Sequence, residues 1–449
     1  MRIATLQFSP LLGDVKGNIR RADQVLAKGL EERRDGGEVG GLDLLVLPEM
    51  AFSGYNFSST STIKPHLEPT AAGRSAEWAR STARRLGCVV CVGYPEIAEP
   101  DHSPASPSND AGVAADVKEE NSATAVAVEE VEGKRFNSLL IVDKTGETLL
   151  NYQKRFLYYT DERWAEEGRN GEGFFALPAV ARERHEGITA SSNIVDGKES
   201  PFSNTYTSTS TLLPLSQSNH ANHTPSSSSE TPTTHHIPTS VGICMDINPY
   251  KFTAPWTAFE FAHQVQTRRS KLVILSMAWL TLLEREELNG SVLAGRRPDM
   301  DTFQYWIQRF WPLVTGGRDR DGDDGGEGEG GVQETILVFA NRAGEEEGLE
   351  GKDAARYAGT SCVLGIRRPL RKKAVVPKPN EKSQERDNGG EDAGKESSSS
   401  DGELEVESSP LGDVEIVVWD MLGRAEEGVC YVDTALEPKS VFKVARPSH

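Results

Sequence analysis

The 449-residue sequence predicts an α/β fold. Short apolar runs recur along it, segments with apolar residues at helical spacing fall between them, and Gly-, Pro- and Ser-rich stretches punctuate the series. Hydrophobic residues make up 37% and charged residues 26%, compatible with a globular core. Lys and Arg number 49 against 68 Asp and Glu, a net charge of −19, which argues against a grip on nucleic acid or anionic lipid. The acidity is local. Stretches 96–133, 187–239, 316–331 and 378–412 carry −9, −2, −4 and −6, leaving the other 307 residues at +2. One domain over 1–449 with four disordered surface insertions is expected.

Each element has its own signal. Arg2–Phe8 reads as a buried strand. Asn18–Arg33 follows as a helix, with Ala22, Val25, Leu26 and Leu30 at helical spacing. Leu42–Leu47 is a near-continuous apolar run ending at Pro48-Glu49, suited to a strand covered on both faces. Gly73–Leu86 reads as a helix and Cys88–Tyr94 as a strand. Phe136–Asp143 and Thr148–Tyr152 flank a Lys-Thr-Gly-Glu turn and form a hairpin. KRFLYYTDERW, from Lys154, is dense in aromatics and charges outside any period, and reads as a site loop. Strands over Val241–Met245, Lys271–Met277, Thr335–Asn341, Tyr357–Ile366, Glu415–Trp419 and Gly428–Val432 and helices over Ala254–Arg268 and Thr302–Leu313 complete the series. No internal repeat is visible.

Three of these ends deliver one reactive residue each. Glu49 ends a strand in LLVLPEM, Lys154 follows the hairpin in NYQKRF, and Cys244 ends a strand in VGICMD. Open α/β sheets build sites beyond the carboxyl ends of their strands. A carboxylate, an ammonium and a thiol complete a hydrolytic set: the carboxylate takes the thiol proton, the sulfur attacks a carbonyl, and the ammonium meets the oxyanion. The thiolate is also easier to form beside a cation.

LLVLPEMAFSGYNF, NYQKRFLYYTDERW and VGICMDINPYKF, in that order, resemble the three signature segments of the nitrilase superfamily. Within it, PEMAFSGYNF, FLYYTDE and GICMDINPYKF are similar to the fungal protein N-terminal amidases. The resemblance implies a four-layer α-β-β-α sandwich. It implies Glu49 as general base, Lys154 as oxyanion stabiliser, Cys244 as nucleophile, Glu162 as a second catalytic acid with Asp161 beside it as the competing choice, and the Met245 backbone N–H as a further oxyanion donor. It implies an amidohydrolase converting N-terminal Asn and Gln to Asp and Glu through a thioester, without cofactor or metal, and supplying an N-degron pathway. The substrate α-ammonium needs an acidic partner, for which Asp246 and Asp161 both offer themselves; Asp246 stands equally as a cap of the following turn, and Tyr55, with Asn56 and Phe57, as an entrance residue or a packing one.

Peptide or protein N-termini are the expected partners, with no nucleic acid or membrane, in a monomer or homodimer. No long apolar run is present, MRIATLQF reads as a strand rather than a leader, and the five cysteines suit a reducing compartment, so a cytoplasmic or nuclear location is expected. The competing readings are an amidase or carbamoylase for small free amides, an inactive binding protein of the same fold, and a papain-like hydrolase, for which no histidine has a matching context. Cys88 and Cys91 have zinc-pair spacing but no second pair, so packing is their expected role. His235-His236, the acidic run 318–330 and the Ser-rich acidic run 397–409 are discounted as metal, calcium and firm phosphorylation sites.

Overall fold

A computed structural model describes residues 1–35, 41–99, 133–169, 171–179, 235–289, 292–316, 332–348, 353–369 and 414–444. The acidic and Ser/Thr-rich stretches fall largely outside these: 100–132, 187–234, 317–331 and all of 378–412. Contacts divide the chain into Met1–Ala176 with Pro238–His449, which carries the site, and Leu177–Ile237, of which only six residues are described.

Among the described residues there are two seven-stranded sheets. The first runs Gly428–Asp433, Arg2–Gln7, Leu44–Val46, Val89–Ala98, Lys134–Val142, Thr148–Gln153, with Glu68–Pro69 beside Val89–Ala98. Its centre is parallel, Ile3 facing Leu44 and Leu44 facing Val89. The second runs Ser440–Val444, Val414–Met421, Cys362–Pro369, Val332–Ala340, Leu272–Ser276, His235–Ile243, Phe174–Ala179. Leu272–Ser276 lies parallel to both neighbours, Ile243 facing Ser276 and Ser276 facing Ala340.

The sheets face each other. Ser276 Oγ donates to Leu47 O at 3.0 Å, and the Glu49 N–H to Met277 O at 3.3 Å, so the ends of two parallel strands meet across the interface. Helices Val15–Asp35 and Arg74–Leu86 cover the outer face of the first sheet, burying Ala22, Leu26, Ala79 and Ala83 with Leu45, Val90 and Leu140. Helices Glu260–Thr267 and Met300–Arg309 cover the second. Trp306 stacks on Phe339 with centroids 4.7 Å apart, and Phe261 fills the space over Gly242. The result is the expected helix–sheet–sheet–helix sandwich.

Four details depart from the sequence reading. The strand read over Tyr357–Ile366 begins only at Cys362 and runs to Pro369, Tyr357 making an isolated bridge with Leu280. Glu96–Ala98, read as the start of an insertion, continue the strand Val89–Ala98, and Glu96 is buried under hydroxyl and amide donors from Thr70, Ser138, Asn151 and Gln153. Positions 235–239 likewise begin the strand His235–Ile243. The two long helices are each split. Phe259, with φ 44°, separates the turn Trp256–Ala258 from Glu260–Thr267. Phe310 separates Met300–Arg309 from Trp311–Thr315, where Pro312 has no N–H to carry the helix on. No helix among the described residues is long and apolar enough to cross a membrane.

Candidate active site

Glu49 follows the parallel strand Leu44–Val46 in a turn whose next residue, Met50, has φ 46°. The turn runs directly over Gly93: a Cβ there would come within 2.6 Å of Met50 N and 2.8 Å of Glu49 Cα, so only glycine fits beneath it. Lys154 follows the strand Thr148–Gln153 and extends its ladder, its N–H bonding Asn137 O at 2.8 Å. Cys244 ends the strand His235–Ile243 at the first position of the 3-10 turn Cys244–Ile247, with φ 42°. A left-handed backbone at a non-glycine residue is strained, and here it marks the bend from strand to turn. All five cysteines are free and buried.

These elements converge on one buried cluster. Lys154 Nζ lies 2.7 Å from Glu49 Oε1 and 2.6 Å from Asp161 Oδ2, and all three side chains are fully buried. Asn137 Nδ2 bridges the same carboxylates, 2.6 Å from Glu49 Oε1 and 3.0 Å from Asp161 Oδ1. Asp161 Oδ2 also accepts from the Tyr55 hydroxyl and the Tyr158 N–H. Asn137 escaped the sequence reading. Its signal was there: an asparagine, followed by a serine, inside the otherwise apolar run Phe136–Val142.

Electrostatics tie Cys244 to this cluster. Burial pushes the Cys244 thiol well above its ordinary value, with Glu49 adding to the rise and Lys154 and the Ala278 N–H opposing it. The sulfur thus feels one ammonium and two carboxylates at once, Glu49 and Asp161 raising the thiol and Lys154 lowering it. Burial also raises the Glu49 carboxyl, against the pull of Lys154, and so favours it as a proton acceptor. Burial alone would lower the Lys154 ammonium, but Asp161 and Glu49 hold it above the ordinary lysine value.

Two assignments change. Glu162 is exposed in the 3-10 turn Asp161–Arg163, whereas Asp161 faces inward onto Lys154, so the second acid of the cluster is Asp161. Asp246 is not open to a substrate ammonium. Its Oδ1 accepts the Arg155 and Phe156 N–H groups, and its Oδ2 the Ile243 N–H and the Tyr152 hydroxyl. It staples the turn that begins at Cys244 to the loop after Lys154. Asp161 is likewise occupied by the four donors named above.

A cavity of about 400 Å³ opens onto the cluster, lined by Cys244, Met245, Tyr55, Tyr158, Asp299 and Asp301 among others. None of its lining residues is basic. Asp299 caps the helix Met300–Arg309, accepting the Thr302 N–H at 3.1 Å and the Thr281 hydroxyl at 2.6 Å, and Asp301 is exposed in the helix's first turn. Among the described residues, no group of three or more His, Cys, Asp or Glu is arranged to hold a metal.

Fold and cluster define an α/β protein with a Glu–Lys–Cys site at the facing strand ends. No family model matches the chain. Protein N-terminal amidase of Schizosaccharomyces pombe is 26% identical over 379 residues, 82% of this chain and 91% of that protein. Protein N-terminal amidase of Saccharomyces cerevisiae is 25% identical over 366 residues, 70% of this chain and 64% of that protein. A crystal structure of an N-terminal amidase in complex with an Asn-Glu-Ala peptide has the same fold, with a TM-score of 0.55 at 20% identity over 99% of both chains.

Proposed function

We propose that the chain is an amidohydrolase that converts N-terminal Asn and Gln of peptides and proteins to Asp and Glu, releasing ammonia. One observation carries the reading: a cysteine at a strained strand end, opening on a cavity, coupled to a fully buried glutamate–lysine–aspartate cluster. Two relatives named protein N-terminal amidases, and an N-terminal amidase of the same fold solved with an Asn-initiated peptide, support it.

The residues divide the chemistry as follows. Glu49 takes the Cys244 proton as the sulfur attacks the side-chain amide carbon. Lys154 and the Met245 N–H meet the negative charge that develops on oxygen. Glu49 returns the proton to the departing nitrogen, ammonia leaves, and a thioester remains. Water, deprotonated by Glu49, hydrolyses it. Asp161 keeps Lys154 charged and in place. With Asp246, Asp161 and the helix-capping Asp299 occupied, the substrate α-ammonium falls to Asp301 on the cavity wall, whose charge no basic neighbour in the lining offsets.

A panel of Asn-, Gln- and other Xaa-initiated peptides, with free asparagine and simple amides, tests the reading by ammonia release and by a mass gain of about one dalton, from NH₂ replaced by OH. Deamidation confined to free N-terminal Asn or Gln is expected. N-acetylation should cut kcat/KM steeply, because the acidic wall is then left facing a neutral group. Asp301→Asn should shrink that difference by about tenfold, the worth of one charge-assisted hydrogen bond. Equal rates on acetylated and free peptides, or a preference for simple amides, would replace the reading with a small-amide amidase.

A further inference from the structure

We propose that Asn137 is a positioning residue that fixes which oxygen of Glu49 receives the Cys244 proton; this rests on the amidohydrolase reading. Asn137 is fully buried in the strand Lys134–Val142, and its own carbonyl receives the Lys154 N–H. The two backbones are thus adjacent, and the side-chain amide spans the same two carboxylates as the lysine ammonium. The amide's orientation is dictated by its surroundings. Turned over, it would present its carbonyl oxygen to both carboxylates, a contact of acceptors with acceptors in a buried site.

The consequence falls on Glu49. Oε1 accepts from both Lys154 and Asn137, whereas Oε2, equally buried, accepts from none of the described residues. Donors stabilise negative charge on the oxygen they touch, so Oε1 is the weaker base and Oε2 the stronger. The S–H bond of Cys244 breaks as an O–H bond forms at Oε2. That proton later goes to the leaving nitrogen and the oxygen is free again. Without the amide clamp, Lys154 alone does not fix the rotation of the carboxylate about its final bond, and the proton acceptor is no longer a defined atom. The other titratable groups acting on Glu49 are Lys154 and Asp161 from the lysine loop, Cys244 from the nucleophile turn, and Tyr55 and Tyr357. Of these, Asp161 alone is bonded to the Asn137 amide and loses that donor together with Glu49, while the Asn137 backbone carbonyl keeps its bond to the Lys154 N–H in any variant.

Two readouts separate positioning from mere packing: the pH profile of kcat/KM on a short Asn-initiated peptide, and the pH profile of Cys244 alkylation by iodoacetamide in the full-length chain, followed by mass. N137D replaces the donor with a third carboxylate, so both acid inflections should move up by about one pH unit or more. N137S, neutral and smaller, should lower kcat about tenfold at unchanged KM, more than its fall in Tm accounts for. Wild-type inflections in a folded N137D overturn the proposal. If N137D does not fold, N137S decides: wild-type kcat, or a loss of kcat that merely follows a fall in Tm, overturns it. An alkylation inflection that moves in N137D while the wild-type chain deamidates no peptide would retain the role of Asn137 and discard the substrate assignment.

Discussion

Cys244→Ser keeps the size and the strained backbone of the nucleophile, so stability should be nearly that of the wild type while turnover is lost. Lys154→Met should differ. It too stops turnover, but it leaves Glu49 and Asp161 buried together without their shared cation. Removing one partner of a buried ion cluster costs about 3–5 kcal/mol, so the denaturant midpoint should fall as well. A Lys154→Met chain as stable as the wild type would mean that the cluster is not ionised as described. The raised Glu49 carboxyl makes a third prediction. A base works deprotonated, so kcat/KM should fall with decreasing pH through an inflection above the ordinary glutamate range; an inflection at or below that range would remove Glu49 as the base. Glu49, Lys154 and Cys244 were legible because each stands at the end of a strand inside its own local signature. Asp161 and Glu162 were not separable, because adjacent residues of a 3-10 turn point apart and only the tertiary position of the turn decides which meets Lys154. Asp246 stood open between an ammonium partner and a cap of its turn for a related reason: its four donors come from three places in the chain.

Strand ends carry the chemistry, and what holds them is close packing rather than pattern. Asp246 joins the nucleophile turn to the loop after Lys154, so Asp246→Asn turns one carboxylate oxygen into a donor facing N–H or O–H groups. Leaving buried polar groups unmatched costs about 1–3 kcal/mol, so stability and kcat should fall together while discrimination against acetylated peptides persists. Relaxed discrimination would restore Asp246 as the ammonium partner. Gly93→Ala acts on the opposite side. The added Cβ has only the backbone of the Glu49 turn to push against, so the variant should lose activity without touching a reacting group. At this scale the existence of elements was legible and their interruptions were not. Ala254–Arg268 and Thr302–Leu313 have unbroken helical spacing, yet Phe259 and Phe310 leave the helical conformation as their rings pack: Phe259 beneath Arg309, Phe310 against Phe339. The strand Ser440–Val444 gave no signal because it lies exposed at the edge of its sheet, where it pairs with Val414–Met421.

Alternation of strand and helix specifies an α/β molecule, but not that two sheets stand face to face. That depends on contacts such as Ser276 with Leu47 and Glu49 with Met277, between residues more than two hundred positions apart; the resemblance of the three signatures, not the pattern of elements, led to the sandwich. The charge reading reaches the whole molecule too. The segment 378–412 holds −6 of the net −19 and lies outside the described residues. It falls between two strands that pair antiparallel without it, Cys362–Pro369 with Val414–Met421, Arg367 opposite Glu415. Neither strand supplies a residue to the Glu49–Lys154–Asp161–Cys244 cluster. Deleting 378–412 therefore changes the net charge from −19 to −13 and leaves the paired strands and the cluster as they are. The rate on a short, neutral Asn-initiated peptide should stay within about twofold of wild type, since the removed charges act on a neutral substrate only weakly. On a strongly basic peptide, long-range attraction gives the full-length chain a higher kcat/KM at low ionic strength, and the advantage over the deletion should vanish in high salt. A large loss on the neutral peptide would instead make 378–412 part of the active site.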